Sequence, residues 1–518
     1  MDTTKPNRLV IAAIIAAGAA MIFISTYRYG LGISNDGVIM LSAGENFAEG
    51  SGLLRFDDKP LIHWLPLLPV LVGGLYKITG IDTLIIALGI NFIAYGAIVY
   101  LMGNLFYRSL RRDALWFYTG SLLAVTSVSF LSLGTNFSTD ILFIIEFLIF
   151  ITLAQNYIAQ PKRSTLMWMG TAAAFSTFTR YSGAVLVLAG AVFVAIVYWK
   201  KWREMVVNGV VFGAIAGIPI TLWVLLRNMP LTGTPAGGYD WKNVFILENI
   251  KFSFARMSQW LLPYEITSRF PSVVLLLLVG LISGIGIKRA WKPLKERLST
   301  AQLIPVWVMT ILYFPFVQLT SVTHDHIAIY DDRYQLPLFG LIAILILVTL
   351  SVIWSNPENE KALIRRRAFQ LIMLIWLLYP IYSVYSFTRA SYSQGVIYYN
   401  QYNLRAFRDT HFAESLQAYE FPTEARIYSN MSEGVYLLTR QQVYDSFYDT
   451  TAGFAGFATS EYLEANHAAW EWGEPAYLVW FKPNEKNYYF TPEQLGAVFQ
   501  MVLEFSMDGG HFFRVANR

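Results

Sequence analysis

Long apolar runs alternate with short polar segments along most of the chain, and this pattern ends near residue 387. A helix needs about 20 mostly apolar residues to cross a bilayer. Eleven runs approach or reach that length, and we predict a spanning helix at each of them. The predicted spans are 9–29, 82–107, 114–132, 139–158, 165–180, 182–199, 206–226, 271–289, 303–320, 336–354 and 368–387.

Residues 388–518 contain no apolar run of that length, and their shorter patterns predict an exported α/β domain. Thr491 is followed by Pro492 and Gln494, which is typical of a capped helix start. Two apolar segments separated by Asp-Gly-Gly predict a hairpin. The predicted strands are 426–429, 476–481, 501–506 and 511–516.

Composition supports a polytopic membrane protein. The 518 residues are 55% hydrophobic and only 14% charged, whereas soluble domains average about 25% charged residues. Such a chain cannot cover a globular surface with polar groups, which excludes a soluble enzyme, a disordered protein and a nucleic-acid binder. The sequence contains no cysteine, so thiolate metal sites and cysteine nucleophiles are excluded.

The distribution of charge predicts the orientation. Residues 1–387 carry a net charge of +10 and residues 388–518 a net charge of −6. The basic residues of the short loops all fall on one side of the predicted layout, which marks the cytoplasmic side. We therefore expect a cytoplasmic N-terminus in a cell (inner) membrane and an extracytoplasmic 388–518 domain. The membrane region 1–387 would then carry long outer loops, which are 30–81, with amphipathic helices, 227–270 and 321–335.

Ionisable residues at membrane depth are costly and mark candidate functional positions. In this chain they gather on the predicted outer side rather than within the spans. The candidates, together with the aromatic Trp64, are Asp36, Glu45, Asp58, Lys59, His63, Asp140, Arg180, Arg333 and Tyr334.

Several of these segments resemble motifs of the GT-C superfamily of membrane glycosyltransferases, in its protein O-mannosyltransferase and lipid A aminoarabinose transferase branch. Asp36 stands where that family has an acidic residue after the first span, although Gly37 replaces the usual second acid. Asp58-Lys59-Pro60 with Trp64 resembles a Glu-Lys-Pro-Pro stretch followed by Trp. Thr139-Asp140 and Arg333-Tyr334-Gln335-Leu336-Pro337 resemble two further motifs, so that the resemblance extends over roughly residues 9–354.

The resemblance implies an enzyme that transfers a hexosyl or pentosyl group from a polyprenyl-phosphate donor to a hydroxyl of a glycan, lipid or protein in the cell envelope. Transfer would be an inverting direct displacement with Asp36 as the base and Asp140 as a second catalytic carboxylate. Lys59, Arg180 and Arg333, with Tyr334, would bind the lipid phosphate. The remaining candidates, which would support the site, are Glu45, Asp58, His63 and Trp64.

A divalent cation, Mg²⁺ or Mn²⁺, is a further expectation, held by Asp36 and Asp140. His324 and His326 form an alternative metal pair, because imidazole is a common ligand. They lie in the short outer loop before Arg333.

Other interpretations remain open at this point. The chain could be a lipid or sugar transporter or flippase, or a membrane scaffold whose exported domain binds a partner. Asp36 and Asp140 could be helix caps, and Lys59 could form a solvated ion pair with the adjacent aspartates. Arg180 could extend to the lipid headgroups, and Glu146 could bond to a neighbouring helix.

Overall fold

The structure is a computed structural model of the full chain, and it describes most of the residues. The described ranges are 5–110, 112–235, 246–260, 262, 287–322, 332–353, 360–396, 402–451, 457–470, 472–473, 475–482 and 488–516.

The described residues up to 394 are mostly helical. Two helices, α5 and α6, follow each other with a bend of 61° at a short break. The α-helices of the described residues up to 394 are α1 Arg8–Thr26, α2 Asn35–Glu49, α3 Leu67–Thr79, α4 Thr83–Ser109, α5 Ala114–Val125, α6 Val128–Thr135, α7 Asp140–Ala159, α8 Arg163–Thr179, α9 Ala184–Tyr198, α10 Trp202–Trp223, α11 Met229–Thr232, α12 Ile246–Gln259, α13 Ile287–Leu298, α14 Ile304–Val322, α15 Phe339–Ile353 and α16 Glu360–Gln394.

The predicted polytopic helical class is confirmed, whereas the number of spans stays a prediction. Among the described residues, five helical segments are long and apolar enough to cross a membrane, or six if the bent pair α5–α6 is one span. The predicted span 271–289 lies almost wholly outside the described residues. The five segments are Arg8–Thr26, Thr83–Ser109, Asp140–Ala159, Tyr181–Tyr198 and Trp202–Thr232.

Contacts between residues divide the chain into two compact units. The first unit, here called the helical unit, comprises Met1–Ser25, Ile62–Leu67 and Gly89–Arg389. The second, here called the outer-loop unit, joins Thr26–Leu61 and Leu68–Leu88 to Ala390–Arg518. The first predicted outer loop therefore packs mainly with the C-terminal part of the chain.

In the outer-loop unit, helices α2 and α3 approach closely at two glycines. A Cβ atom on Gly73 would lie 2.1 Å from the carbonyl oxygen of Gly44. Small residues permit such contact between helix backbones. Between the two helices, residues 53–61 form a tight hairpin, in which Arg55 N donates to the carbonyl of Lys59 at 2.9 Å.

The predicted C-terminal α/β domain is confirmed. Within the part of this domain that the structure describes, five strands form one sheet in the order β2-β1-β3-β5-β4. Strand β1 is parallel to β2 and β3, whereas β5 is antiparallel to β3 and β4. The strands are β1 Arg426–Ser429, β2 Val443–Asp445, β3 Ala476–Phe481, β4 Gln500–Met507 and β5 Gly510–Ala516, and the helices are α17 Arg405–Arg408, α18 His411–Ala418, α19 Ser432–Thr439, α20 Ser460–Asn466 and α21 Pro492–Val498.

Aromatic packing on this sheet explains how a domain of small size forms a core. Strand β3 is buried along its whole length, which is typical of a central strand covered on both faces. Trp472 is fully buried and packs edge-on against Tyr428 and Phe447, with ring centroids 4.9 and 4.6 Å away. The predicted cap of α21 is present as a reciprocal capping box between Thr491 and Gln494.

Candidate functional site

In the helical unit, one carboxylate holds two guanidinium groups. Asp140 is buried, with 4% of its surface exposed. Arg180 Nη1 donates to Asp140 Oδ1, and Arg333 Nη1 lies 3.7 Å from Asp140 Oδ2. Both arginine side chains are about one-fifth exposed. The three residues together carry a net charge of +1, with both cations in a partly desolvated environment.

Tyr334 lies against both arginines. The guanidinium carbons of Arg180 and Arg333 lie 5.1 and 5.0 Å from its ring centroid, which is cation–π distance. Arg333 Nη2 also donates to the Tyr334 hydroxyl at 3.1 Å. The backbone is fixed in turn, because Tyr313 donates to the Tyr334 carbonyl at 3.0 Å and Gln335 donates to Ser253 at 3.1 Å.

Ends of helices bring these side chains together. Asp140 is the first residue of α7, and Thr139 before it makes no side-chain cap bond. Helix α8 ends at Thr179, so Arg180 is in an extended conformation before a short 3₁₀ turn. A second 3₁₀ turn, Asp332–Tyr334, carries Arg333. The cap role that the sequence allowed for Asp140 is therefore replaced by ion pairing.

A second carboxyl group, that of Glu146, lies on α7 below Asp140. Thr179 Oγ1 lies 2.7 Å from Glu146 Oε1 and donates to it. Thr179 immediately precedes Arg180, so α7 and α8 are joined by polar contacts at two successive levels. Glu146 therefore forms a hydrogen bond to a neighbouring helix, which is one of the roles that the sequence allowed for it.

An apolar cavity reaches the residue that follows Arg180. It has a volume of about 460 Å³ and is lined by residues of α8, α9 and α10 together with Tyr181, the residue after Arg180. The Tyr181 hydroxyl donates to the carbonyl of Ile62 at 3.2 Å and accepts from Asn228 at 3.1 Å. The segment that carries His63 and Trp64 is therefore attached next to Arg180, and these two rings stand edge to face with centroids 5.8 Å apart.

Asp36 lies in the outer-loop unit, in the first turn of α2. Ser34 caps this helix, because its hydroxyl accepts from Gly37 N at 3.3 Å. The cap role that the sequence allowed for Asp36 thus belongs to Ser34. A carboxylate in the first turn of a helix is stabilised by the helix dipole, and the half-buried Asp36 is available for other contacts.

Lys59 and Asp58 lie in the hairpin of the same unit. Lys59 Nζ is 3.0 Å from Asp57 Oδ2, and its side chain is 65% exposed. Asp57 is buried and also pairs with Arg55 at 3.0 Å. Asp58 takes a left-handed conformation with φ of 60° and accepts from the Gln442 side chain. The ion pair that the sequence allowed for Lys59 is present, with Asp57 as its partner.

Glu45 is the centre of a polar cluster at the other end of α2. Arg440 Nη1 donates to Glu45 Oε1 at 2.8 Å, and the hydroxyls of Thr83 and Tyr436 also donate to this carboxylate. Burial, followed by the nearby Glu45 carboxylate, raises the pKa of Tyr436 well above its usual value. The cluster lines a polar cavity of about 320 Å³ within the outer-loop unit.

The arrangement around Asp140 does not fit a divalent cation. Both of its oxygens face guanidinium groups, and a metal ion would have to displace these cations. Among the described residues, no three His, Asp or Glu side chains form a group suited to a metal. The alternative pair, His324 and His326, lies outside the described residues.

The sequence did not reveal Tyr313, Tyr436 or Arg440 as parts of these clusters. Each lies in a segment without a motif, and a tyrosine in a chain with 31 of them carries little information. The pairing of Arg180 with Asp140 could have been suspected, since both lie at the ends of neighbouring apolar segments and have opposite charge.

The similarity of this chain to known proteins is found in its structure and not in its sequence. No family model matches the sequence, and no curated protein sequence matches it. Two solved structures of ArnT from Cupriavidus metallidurans are similar over 97% of this chain and 97% of theirs, each with a TM-score of 0.59. One is bound to undecaprenyl phosphate and is 13% identical in sequence, and the other is in the apo state and 14% identical. The fold part of the resemblance is thereby confirmed: this chain has the fold of the ArnT structures.

Proposed function

We propose that this protein is a membrane glycosyltransferase that moves a sugar from a polyprenyl-phosphate donor to a hydroxyl acceptor on the outer face of the membrane. The observation that carries the proposal is the pair Arg180 and Arg333, held on one carboxylate and against one tyrosine. Guanidinium groups bind phosphate oxygens with two parallel hydrogen bonds. ArnT, which shares this fold, is bound to undecaprenyl phosphate in one of its structures.

The charge of the cluster suits the reaction. The donor is a phosphodiester with one negative charge, and the departing lipid phosphate gains a second charge as the glycosidic bond breaks. A net charge of +1 from Arg180, Arg333 and Asp140 attracts the donor, and the two guanidinium groups stabilise the charge that develops. The apolar cavity beside Tyr181 offers space for isoprenoid units of the lipid.

The proposed step is a single displacement at the anomeric carbon. The acceptor oxygen forms a bond to this carbon while the bond to the phosphate oxygen breaks, and the electron pair leaves with the phosphate. The Asp36 carboxylate accepts the proton of the acceptor hydroxyl. Attack from the face opposite the leaving group inverts the configuration.

We further propose that the N-terminus is cytoplasmic and that residues 388–518 are extracytoplasmic. This orientation places the donor sugar and its acceptor on the side of the exported domain. It is supported by the basic residues of the short loops and by the helices that are long enough to cross a membrane.

The test compares glycolipids and exported glycoproteins by mass spectrometry in host cells with and without the gene, and with Asp36→Asn and Arg333→Ala. We expect a sugar modification that is present only in cells with the gene, and the molecule that carries it identifies the acceptor. Asp36→Asn should abolish it, and Arg333→Ala should lower the rate about 10²–10³-fold, as for loss of one group that stabilises a developing anion. Purified Arg333→Ala protein should also bind undecaprenyl phosphate more weakly. Full turnover by Asp36→Asn would contradict the assigned base, and identical sugars in all strains would contradict the function.

A further inference from the structure

Tyr402, a residue of the C-terminal part of the chain, contacts the residue before Asp36. Its hydroxyl lies 2.6 Å from Asn35 Oδ1 and 3.3 Å from Glu433 Oε2. The side chain is buried, with 2% exposed. Burial, followed by the nearby Glu433 carboxylate, raises the pKa of Tyr402 well above its usual value, so the phenol keeps its proton and donates. All these residues belong to the outer-loop unit.

The next residue, Asn403, binds the segment that leads into α2. Asn403 Nδ2 donates to the carbonyl of Leu31 at 2.7 Å. Two consecutive residues, 402 and 403, thus bind the chain both before α2 and in its first turn. Ser34 supplies a cap bond of 3.3 Å within this turn. The direction of the Asp36 side chain depends on this turn, because Asp36 is the second residue of the helix.

The far end of α2 is attached to the same domain. Helix α19 carries Glu433 in its first turn, and Arg440 follows its last residue. Arg440 pairs with Glu45 at 2.8 Å. Tyr436 on the same helix also donates to Glu45. Helix α2 is therefore fixed at both ends by residues of the C-terminal part, and the contact nearest to Asp36 is that of Tyr402.

We infer that Tyr402 is a positioning residue, which sets the direction of Asp36 by holding the Asn35 side chain. This inference rests on the proposed function, in which Asp36 accepts the proton of the acceptor hydroxyl. A misplacement of about 1 Å at a reacting group can lower a rate about 10²-fold. The inference also gives the C-terminal domain a role in the reaction, since the base is correctly placed only when this domain contacts α2.

The first experiment removes only the hydroxyl, with Tyr402→Phe in the full-length protein. The ring remains to pack against Phe407, whose centroid is 5.8 Å away. We expect the gene-dependent sugar addition, measured per molecule of protein in the membrane, to fall at least tenfold. Binding of undecaprenyl phosphate and the unfolding temperature should change little. Tyr419→Phe is the matched control, because this tyrosine packs in the same domain against Phe421 and Phe512.

The second experiment is a double-mutant cycle with Asn35→Leu, which keeps the size of the side chain and removes the acceptor. If Tyr402 acts through Asn35, Asn35→Leu alone lowers the rate at least tenfold, and the double variant is no slower than the slower single variant. If the fold reductions in rate of the two single variants multiply in the double variant, the inference is overturned. A full rate in either single variant would also overturn it. If Tyr402→Phe fails to insert, the rate of Asn35→Leu decides alone.

Asp36→Asn, measured in parallel, separates this inference from the proposed function. Full turnover by Asp36→Asn contradicts the proposed base and with it the inference. An inactive Asp36→Asn protein together with a fully active Tyr402→Phe protein contradicts the positioning role alone.

Discussion

Arg333 Nη1 lies 3.7 Å from Asp140 Oδ2, and Arg180 donates to the other oxygen of the same carboxylate. A single anion thus keeps two cations from distant segments side by side. Without it, the two guanidinium groups would repel each other in a partly buried environment. Asp140 therefore determines how the two guanidinium groups of the proposed phosphate site lie relative to each other.

Replacing Asp140 by Asn should destabilise the protein by up to about 3 kcal/mol, because removal of the shared anion leaves two partly buried cations uncompensated. Thermal unfolding in detergent or nanodiscs measures the change. Glu204→Gln is the control, since Glu204 forms an exposed pair with Lys201, and such pairs contribute about 0–1 kcal/mol. Equal effects of the two substitutions would show that the Asp140 pairs are not structural.

Tyr334→Ala should weaken binding of undecaprenyl phosphate more than Tyr334→Phe does. The ring contacts both guanidinium groups, whereas the hydroxyl contacts only Arg333. A cation–π contact contributes about 0.5–2 kcal/mol, depending on its exposure. The dissociation constants of the two variants for undecaprenyl phosphate, measured on purified protein, test this prediction. Weaker binding by Tyr334→Phe than by Tyr334→Ala would refute it.

Gly73→Ala should destabilise the protein, whereas Gly74→Ala should not. The added Cβ on Gly73 would lie 2.1 Å from the Gly44 carbonyl, but that on Gly74 would meet nothing within 4 Å. Alanine in a helix is otherwise favoured over glycine by about 0.5–1 kcal/mol. The unfolding temperatures of the two neighbouring variants give the comparison, and a neutral Gly73→Ala would mean that α2 and α3 do not touch there.

The stability contributed by Asp449 should depend on pH. Burial alone would raise the pKa of this carboxyl, but hydrogen bonds from Thr451 and Thr459 outweigh it and lower the pKa to about 2. The folded form therefore binds its proton less readily than the unfolded form, whose value is 3.8. The contribution is complete above about pH 4 and is lost as the pH falls towards 2.

Unfolding of Asp449→Asn and of the unchanged protein should accordingly differ at pH 7 and converge between pH 4 and pH 2. Glu461→Gln, an exposed carboxylate in the first turn of α20, is the control. A difference that persists unchanged at pH 2 would rule out a role for the ionised carboxylate.

Single cysteines should report the proposed orientation directly, because the sequence has no cysteine of its own. We expect a membrane-impermeant maleimide to label Glu461→Cys, but not Lys200→Cys, when it is added from outside to intact cells or spheroplasts. Both positions are exposed. Labelling of Lys200→Cys only after the membrane is opened completes the test, and the reverse pattern would invert the topology.

Local patterns predicted those parts of the fold that depend on few neighbours. The capping box at Thr491, strands β1 and β3 and the β4–β5 hairpin follow from residue types at short spacing, and all are present. The hairpin at residues 53–61 was not predicted. Its cross-strand bonds and the buried Asp57 become apparent only in three dimensions, because two adjacent aspartates are equivalent in a sequence.

The sequence by itself determined that the chain is a polytopic membrane protein with a C-terminal α/β domain, because apolar length and low charge leave no soluble alternative. It also marked Asp36, Asp140, Arg180 and Arg333 as ionisable residues in unusual positions. Only the tertiary structure decided that Asp140 binds both arginines and that Ser34 rather than Asp36 caps α2. These outcomes depend on which helix ends meet, and packing over long sequence distances determines that.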